Sequence, residues 1–319
     1  MNNKSMCRFH MIVCLSAMLA LAFLFAGAGR LSVRAETIKE EPLTSDLTLI
    51  SGGVKLDSKR WIQSYTKDSK YYYFIQMTNP YKGHLRITRV KYTGFGKYSR
   101  DHMDLLYFGH GSSLDCACVG GTTYLWTGSD ARSNSDVSRS ISCFTYRKNA
   151  VLRRHSSIRY RIPKGKKGKY VTNVYPAVSE DNKKLAVRYT YRGKQYFQIY
   201  NLTSGKKINT RKLIKQRSVS KTAGDFQGFD LYRDTIYTIE GSPTKLFLSG
   251  YDKRRKFQPT IIRTCNYRNG RKTSRVIRGA AGLTFREPEG IRVSSGGSIQ
   301  IMFVSDKLTD MSCNIYQVK

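Results

Sequence analysis

The sequence predicts an all-β fold: one five-bladed β-propeller preceded by a cleaved signal peptide. Three observations carry that expectation. Beyond residue 35 no long segment has helical periodicity. Instead, alternating runs of β-branched and aromatic residues, with 22 tyrosines in the chain, recur between Gly-, Asn-, Asp- and Lys-rich turns. A triplet of short strands recurs five times. Its middle members place Tyr72, Tyr124, Leu185, Ile236 and Ile299 at equivalent positions, 51 to 63 residues apart, close to the repeat length of propeller blades.

The elements follow in chain order. Lys4 and Arg8 precede an apolar run from Met11 to Ala28, and Val33 and Ala35 hold the two small-residue positions before a cleavage point after Ala35. The alternative for this segment is an uncleaved membrane anchor. Residues 36–319 then form one domain. "DLTLISGGVKLD" (46–57) is a spare strand ahead of the first copy, within a closing segment at about 44–57. The middle strands are "YYYFIQM", "TYLWTG", "KLAVRY", "TIYTIEG" and "SIQIMFVS". Each is preceded by a short motif ("RWIQSY", "YFGHGSS", "VYPAVS", "FQGFDL", "EPEGIRV") and followed by a third strand ("HLRITRVKY", "SISCFTY", "KQYFQIY", "KLFLSGYD", "CNIYQVK"). The blades fall near 58–100, 101–155, 170–215, 222–265 and 283–319. A lone blade cannot bury both faces, and radial packing covers them. The last copy ends at the C-terminus without an outer strand, so 46–57 is expected to supply it and remove two free sheet edges. The basic stretch at 161–170 reads as a long inter-blade connection. A β-sandwich or two stacked β domains is the competing architecture.

Charge bounds the partners. The chain carries 56 Lys and Arg against 22 Asp and Glu, a net charge of +34. Removing residues 1–35 takes four basic residues and no acidic one, leaving 52 against 22 and a net charge of +30. Such an excess favours a polyanionic partner. For an exported, monomeric protein this means an anionic bacterial cell-wall glycopolymer rather than nucleic acid, with the membrane met only through the signal segment. The basic clusters "RRHSSIRYRIPKGKKGKY", "DKRRK" and "RNGRKTSRVIR" hold the candidate polyanion contacts: Arg153, Arg154, Lys164, Lys166, Lys167, Lys169, Arg254, Arg255, Arg271 and Lys272.

Five cysteines follow the signal segment. Cys116 and Cys118 lie two apart on a strand and share a face, where bonding to each other is sterically poor. Cys143, on a later strand of the same unit, could reach one of them, and the pairing of the five is left open. The spacing matches no zinc site, and no metal or cofactor is expected.

Catalytic signatures are sparse. The sequence has no H-E-x-x-H, P-loop or G-x-S-x-G motif. Equivalent loops of the five copies should meet at one mouth of a propeller, which gathers Trp61, Gln63, His110, Tyr175, Gln227, Asp230 and Glu289. Rings can stack on sugar faces while amides and carboxylates take hydroxyls; the same groups could equally plug the axis. Paired carboxylates also permit acid–base hydrolysis, so a glycopolymer hydrolase or modifying enzyme is the alternative to binding alone.

"YFGHGSSLDC" followed by "TTYLWTGSDA", then "FQGFDLYRDTIYTIEG" and "EPEGI", resemble the helveticin J-like bacteriocin family. That family groups with a teichoic-acid biosynthesis protein C type and the propeller of staphylococcal phage receptor-binding proteins. The resemblance covers about residues 44–319. It implies a five-bladed propeller that binds Gram-positive surface glycopolymers, often wall teichoic acid, with a bacteriocin-like role. The first and third copies depart from the family's "QG" pattern, with "WIQSY" and "VYPAV".

Overall fold

The computed structural model describes residues 45–94, 97–162, 171–219, 224–243, 259–305 and 311–319. The segment expected to be a signal peptide, Lys164, Lys166, Lys167, Lys169, Arg254, Arg255 and the strand expected at "KLFLSGYD" lie outside the described residues. Five antiparallel sheets form five blades. The chain enters through β1 (Leu47–Lys55) and continues into blade one: β2 (Ile62–Lys67), β3 (Tyr72–Asn79), β4 (His84–Gly94) and β5 (Lys97–Leu106). Blade two holds β6 (Leu114–Val119), β7 (Thr122–Ser129) and β8 (Ser140–Thr145); β9 (Val151–Arg153) then crosses back, and β10 (Ile158–Tyr160) completes the blade. Blade three is β11 (Thr172–Val178), β12 (Lys184–Tyr191), β13 (Lys194–Thr203) and β14 (Lys207–Ser218). Blade four is β15 (Phe226–Tyr232), β16 (Thr235–Glu240), β17 (Ile261–Asn266) and β18 (Lys272–Val276). Blade five is β19 (Glu287–Val293), β20 (Ile299–Ser305) and β21 (Ser312–Val318), with β1 on its outer edge.

The ring closes as the sequence predicts. β1 pairs antiparallel with β21, from Leu47 opposite Val318 to Lys55 opposite Ser312. Three details differ from the repeat reading. Residues 101–106 belong to the outer strand of blade one. β9 pairs in parallel with β5, so blade two lends blade one a fifth strand. The third strand described in blade four is Ile261–Asn266, which pairs with β16 along six residues.

The core is divided among the five seams. Alternation along a strand sends successive side chains to opposite faces. Tyr73 and Ile75 pack with Leu114 and Phe144 of blade two, while Phe74 packs with Met302 and Cys313 of blade five. The same division recurs between blades two and three around Trp126 and Tyr189, between three and four around Phe197 and Phe229, and between four and five around Ile262 and Phe303. Strands sandwiched this way are buried on both faces, as β3 and β20 are. Tight hairpins keep the blades short: Gly120–Gly121 joins β6 to β7 and Arg192–Gly193 joins β12 to β13, all four at positive φ, the geometry of a two-residue hairpin turn.

The cysteine expectation is corrected here. All five cysteines among the described residues are free thiols. Cys116 packs toward blade one and Cys143 toward blade three. They sit on opposite faces of their sheet, because each follows the alternation of its own strand.

Candidate functional site

The five inner strands, β2, β6, β11, β15 and β19, each end their sheet, and each touches the next around a closed circuit. Small residues allow this approach. A Cβ on Gly228 would sit 3.4 Å from the Cα of Gly290, and one on Gly290 would sit 3.0 Å from the ring of Tyr65. Gly228 and Gly290 are the glycines of "FQGFD" and "EPEGI", so those motifs bring inner-strand backbones together.

Two aspartates latch the inner strands. Asp230 Oδ1 accepts the amide of Leu231 at 2.7 Å, and Oδ2 accepts that of Val293, on the next blade, at 2.5 Å. Asp115 repeats the pattern, with Oδ1 on the Cys116 amide at 2.7 Å and Oδ2 on the Val178 amide at 2.6 Å. In both latches the second partner lies 63 residues downstream. Asp115 joins blade two to three, and Asp230 joins four to five.

Arg292 then crosses the axis from blade five. Its Nη1 donates to Asp115 Oδ1 and to Thr66 Oγ1, each at 2.7 Å, and Thr66 Oγ1 donates to Asp115 Oδ1 at 3.1 Å. Three blades meet at one guanidinium. Burial opposes its charge, but the surrounding anionic groups, Asp115 and Asp230 among them, outweigh burial and hold Arg292 more firmly protonated than usual. Asp230 is pushed up to about 7, chiefly by burial and then by the charge on Asp115, against the pull of Arg292.

The residues expected at the mouth divide. Trp61, just before β2, is 40 % exposed. Gln63 is buried, and its Nε2 bonds its neighbour's carbonyl, Ile62 O, at 3.3 Å. His110 is half-exposed and shares a 2.6 Å hydrogen bond between Nδ1 and Asp136 Oδ2. Its loop abuts Gln63, since a Cβ on Gly111 would lie 3.5 Å from that of Gln63. Tyr175 is buried and stacked on Phe226 with ring centroids 5.7 Å apart. Gln227 Nε2 donates to Gly241 O at 3.1 Å and to Glu287 Oε1 at 3.2 Å. Glu289 is buried, and burial, with the charge of Glu287, holds its carboxyl well above the usual range. The structure thus brings Gln227 to the "EPEG" segment and the His110 loop to Gln63, while Tyr175 and Asp230 are packed as framework.

Among the basic candidates, Arg153 lies on β9, Lys272 is the first residue of β18, and Arg271 immediately precedes it. Arg154 turns inward: Nη1 donates to Ala131 O at 2.6 Å, and the guanidinium lies over the Tyr107 ring at 5.2 Å. A larger basic edge stands on β14, which carries Lys207, Arg211, Lys212, Lys215 and Arg217 with no acidic residue. Its signal was visible in "KINTRKLIKQRS" as alternation at an exposed edge, where lysine and arginine discourage pairing with other chains.

Comparisons with known proteins agree with this architecture. The chain is 26 % identical over 216 residues to a Bacillus subtilis (strain 168) protein carrying the name major teichoic acid biosynthesis protein C. That match covers 65 % of this chain and 45 % of the relative's length. The tail fiber of Staphylococcus aureus phage P68 superposes with a TM-score of 0.61 at 17 % identity, over 85 % of this chain and 52 % of the fiber. The chain therefore spans about half the length of each of these proteins. The family described as the phage 5-bladed beta propeller receptor binding platform domain matches residues 61–294, well over half the sequence. Five blades, a ring of latched inner strands and this match lead to one assignment: the chain belongs to the phage five-bladed β-propeller receptor-binding platform domain family.

Proposed function

We propose that this protein is exported and binds an anionic cell-wall glycopolymer of the teichoic-acid type, in a bacteriocin-like, helveticin-like role against neighbouring bacteria. The observation that carries this reading is a net charge of +30 over residues 36–319 (52 basic against 22 acidic) in a chain of a receptor-binding propeller family. The name of the Bacillus relative points to the same class of polymer. Phosphates along such a chain would meet Arg153, Arg271, Lys272 and the β14 row through many weak contacts. Each contact is screened by salt, and together they are steep in salt. Trp61, Gln63 and His110 are the mouth residues proposed to meet sugar. The domain is proposed to span 36–319 as a monomer.

The test is retention on immobilised wall teichoic acid over a salt series. Strong retention at low salt, lost by about tenfold or more between ~50 and ~200 mM salt, with polymer length unchanged, is the expected result. Failure to be retained at low salt would end this reading. A second reading, glycopolymer hydrolysis, is favoured by one observation: the charge on Asp115 helps raise Asp230 into the range of a general acid at neutral pH. Both oxygens of Asp230 already hold backbone amides, which favours the framework role. Shortened polymer would support hydrolysis instead.

A further inference from the structure

The seam between blades three and four carries a polar surface on blade four. The cross-strand register places Ile236 opposite Cys265, and Cys265 opposite Lys272; it places Thr238 opposite Arg263, and Arg263 opposite Ser274. Directly opposed residues share a sheet face, so these side chains form one surface, with Glu240 continuing the row along β16. On the other face of blade four, Ile239 and Ile262 pack against blade five. The surface toward blade three is instead polar beyond Ile236, and β18 is exposed along its whole length. A cleft of about 390 Å³ opens there, walled on the far side by Phe197, Ser218 and Val219 of blade three. This lies within the range of small-molecule sites, roughly 300–1,000 Å³.

The cleft is chemically built. At its inner end Glu240 is fully buried and accepts Arg263 Nε at 3.0 Å. A buried carboxylate needs several such partners, and its second is the more distant Gly224 amide at 3.3 Å. On the blade-three side Arg188 is only 3 % exposed. It is the register partner of the cleft-lining Phe197, and Glu240's charge acts on it. Its Nη2 bonds Gln195 Oε1 at 2.7 Å, while its Nε is buried with no hydrogen-bond partner among the described residues. Thr238 and Ser274, both opposite Arg263, supply hydroxyls along the same face. Lys272 stands at the outer end, close enough for its charge, with that of Arg217, to act on Cys265. The order from outside inward is cation, hydroxyl row over an apolar patch, then a carboxylate–guanidinium pair.

We infer that this inter-blade cleft binds a polyol or sugar carrying one phosphate. The phosphate would sit at Lys272, the carbon skeleton over Phe197 and Ile236, and the hydroxyls on Thr238, Ser274 and the Glu240–Arg263 pair. The inference rests on the glycopolymer reading, because such a unit is what a phosphate-linked wall polymer repeats. It adds a site on the blade seam, away from the axial mouth.

The experiment titrates the full-length protein with ribitol 5-phosphate and with sn-glycerol 3-phosphate, followed by NMR or calorimetry, with ribitol and inorganic phosphate as single-feature controls. At least one phosphorylated polyol should bind about tenfold tighter than either control. Ser274→Trp, on an exposed strand facing the cleft, should fill it and weaken binding at least ~10-fold; Lys272→Glu should weaken the phosphorylated polyol but not ribitol. Unchanged thermal melting of both variants certifies folding. Equal affinity in wild type and both folded variants overturns the site, as does no binding of either phosphorylated polyol while the polymer is still retained. Binding of the small molecule without retention of polymer keeps the cleft and removes the glycopolymer reading instead.

Discussion

Asp230 shows how one side chain can look like a ligand contact and act as a fastener. Its carboxyl is pushed up from 3.8 to about 7. Between those values the folded state keeps a proton that the unfolded chain has released, so stability falls as pH rises from about 4 to about 7. The loss attached to this group is roughly 3–4 kcal/mol. Asp230→Asn removes the titration and, with it, one of two acceptors for backbone amides. The stability gap between wild type and variant, measured by denaturant unfolding, should be widest near pH 4 and shrink toward pH 7; a gap independent of pH would refute the assignment. The sequence singled out Asp230 through its place in "FQGFD", but could not reveal that its partner is the amide of Val293. Asp115 and Arg292 were invisible as a pair, being 177 residues apart. One signal was present: "LDC" and "FDL" both place an aspartate after an apolar residue on an inner strand, with an equal interval to the amide each one holds.

At the level of strands and hairpins the sequence was far more readable. Hydrophobic alternation and turn residues suffice to locate the middle strands, because a propeller strand is buried on both sides and tolerates few interruptions; the third strand described in blade four, Ile261–Asn266, was not read that way. What alternation lacks is the identity of lent strands. β9 has three residues, partly exposed, and nothing in its local chemistry says that it joins the blade before its own. Hairpins also reach across seams. Trp126 of β7 is fully buried, and its Nε1 donates at 2.8 Å to the carbonyl of Gly205, in the turn between β13 and β14 of the next blade. Trp126→Phe leaves that carbonyl unpaired and a void beside it. The expected penalty is roughly 2–4 kcal/mol, read as a lower midpoint in a denaturant titration with an unchanged slope. A penalty below ~0.5 kcal/mol would mean the indole holds nothing across the seam.

For the whole molecule, the five-fold echo of the sequence set the number of blades, and the strand before the first copy set how the circle shuts. The backbone amide of Lys319 donates to the carbonyl of Asp46 at 2.9 Å, so the two extremities of the described chain are neighbours. A circular permutant that links them through a few Gly and Ser residues and opens the Gly120–Gly121 hairpin should fold and melt within a few degrees of the parent; deleting β1 without replacement should give an aggregating chain. If the permutant fails while the deletion folds, β1 is not what completes blade five. The order of synthesis matters for the same reason. Strand β1 has no strand to pair with until β21 exists, so a long-range pairing must wait for it. A propeller made from its N-terminal side would therefore remain an open arc until β21 emerges, and lock into a circle only then.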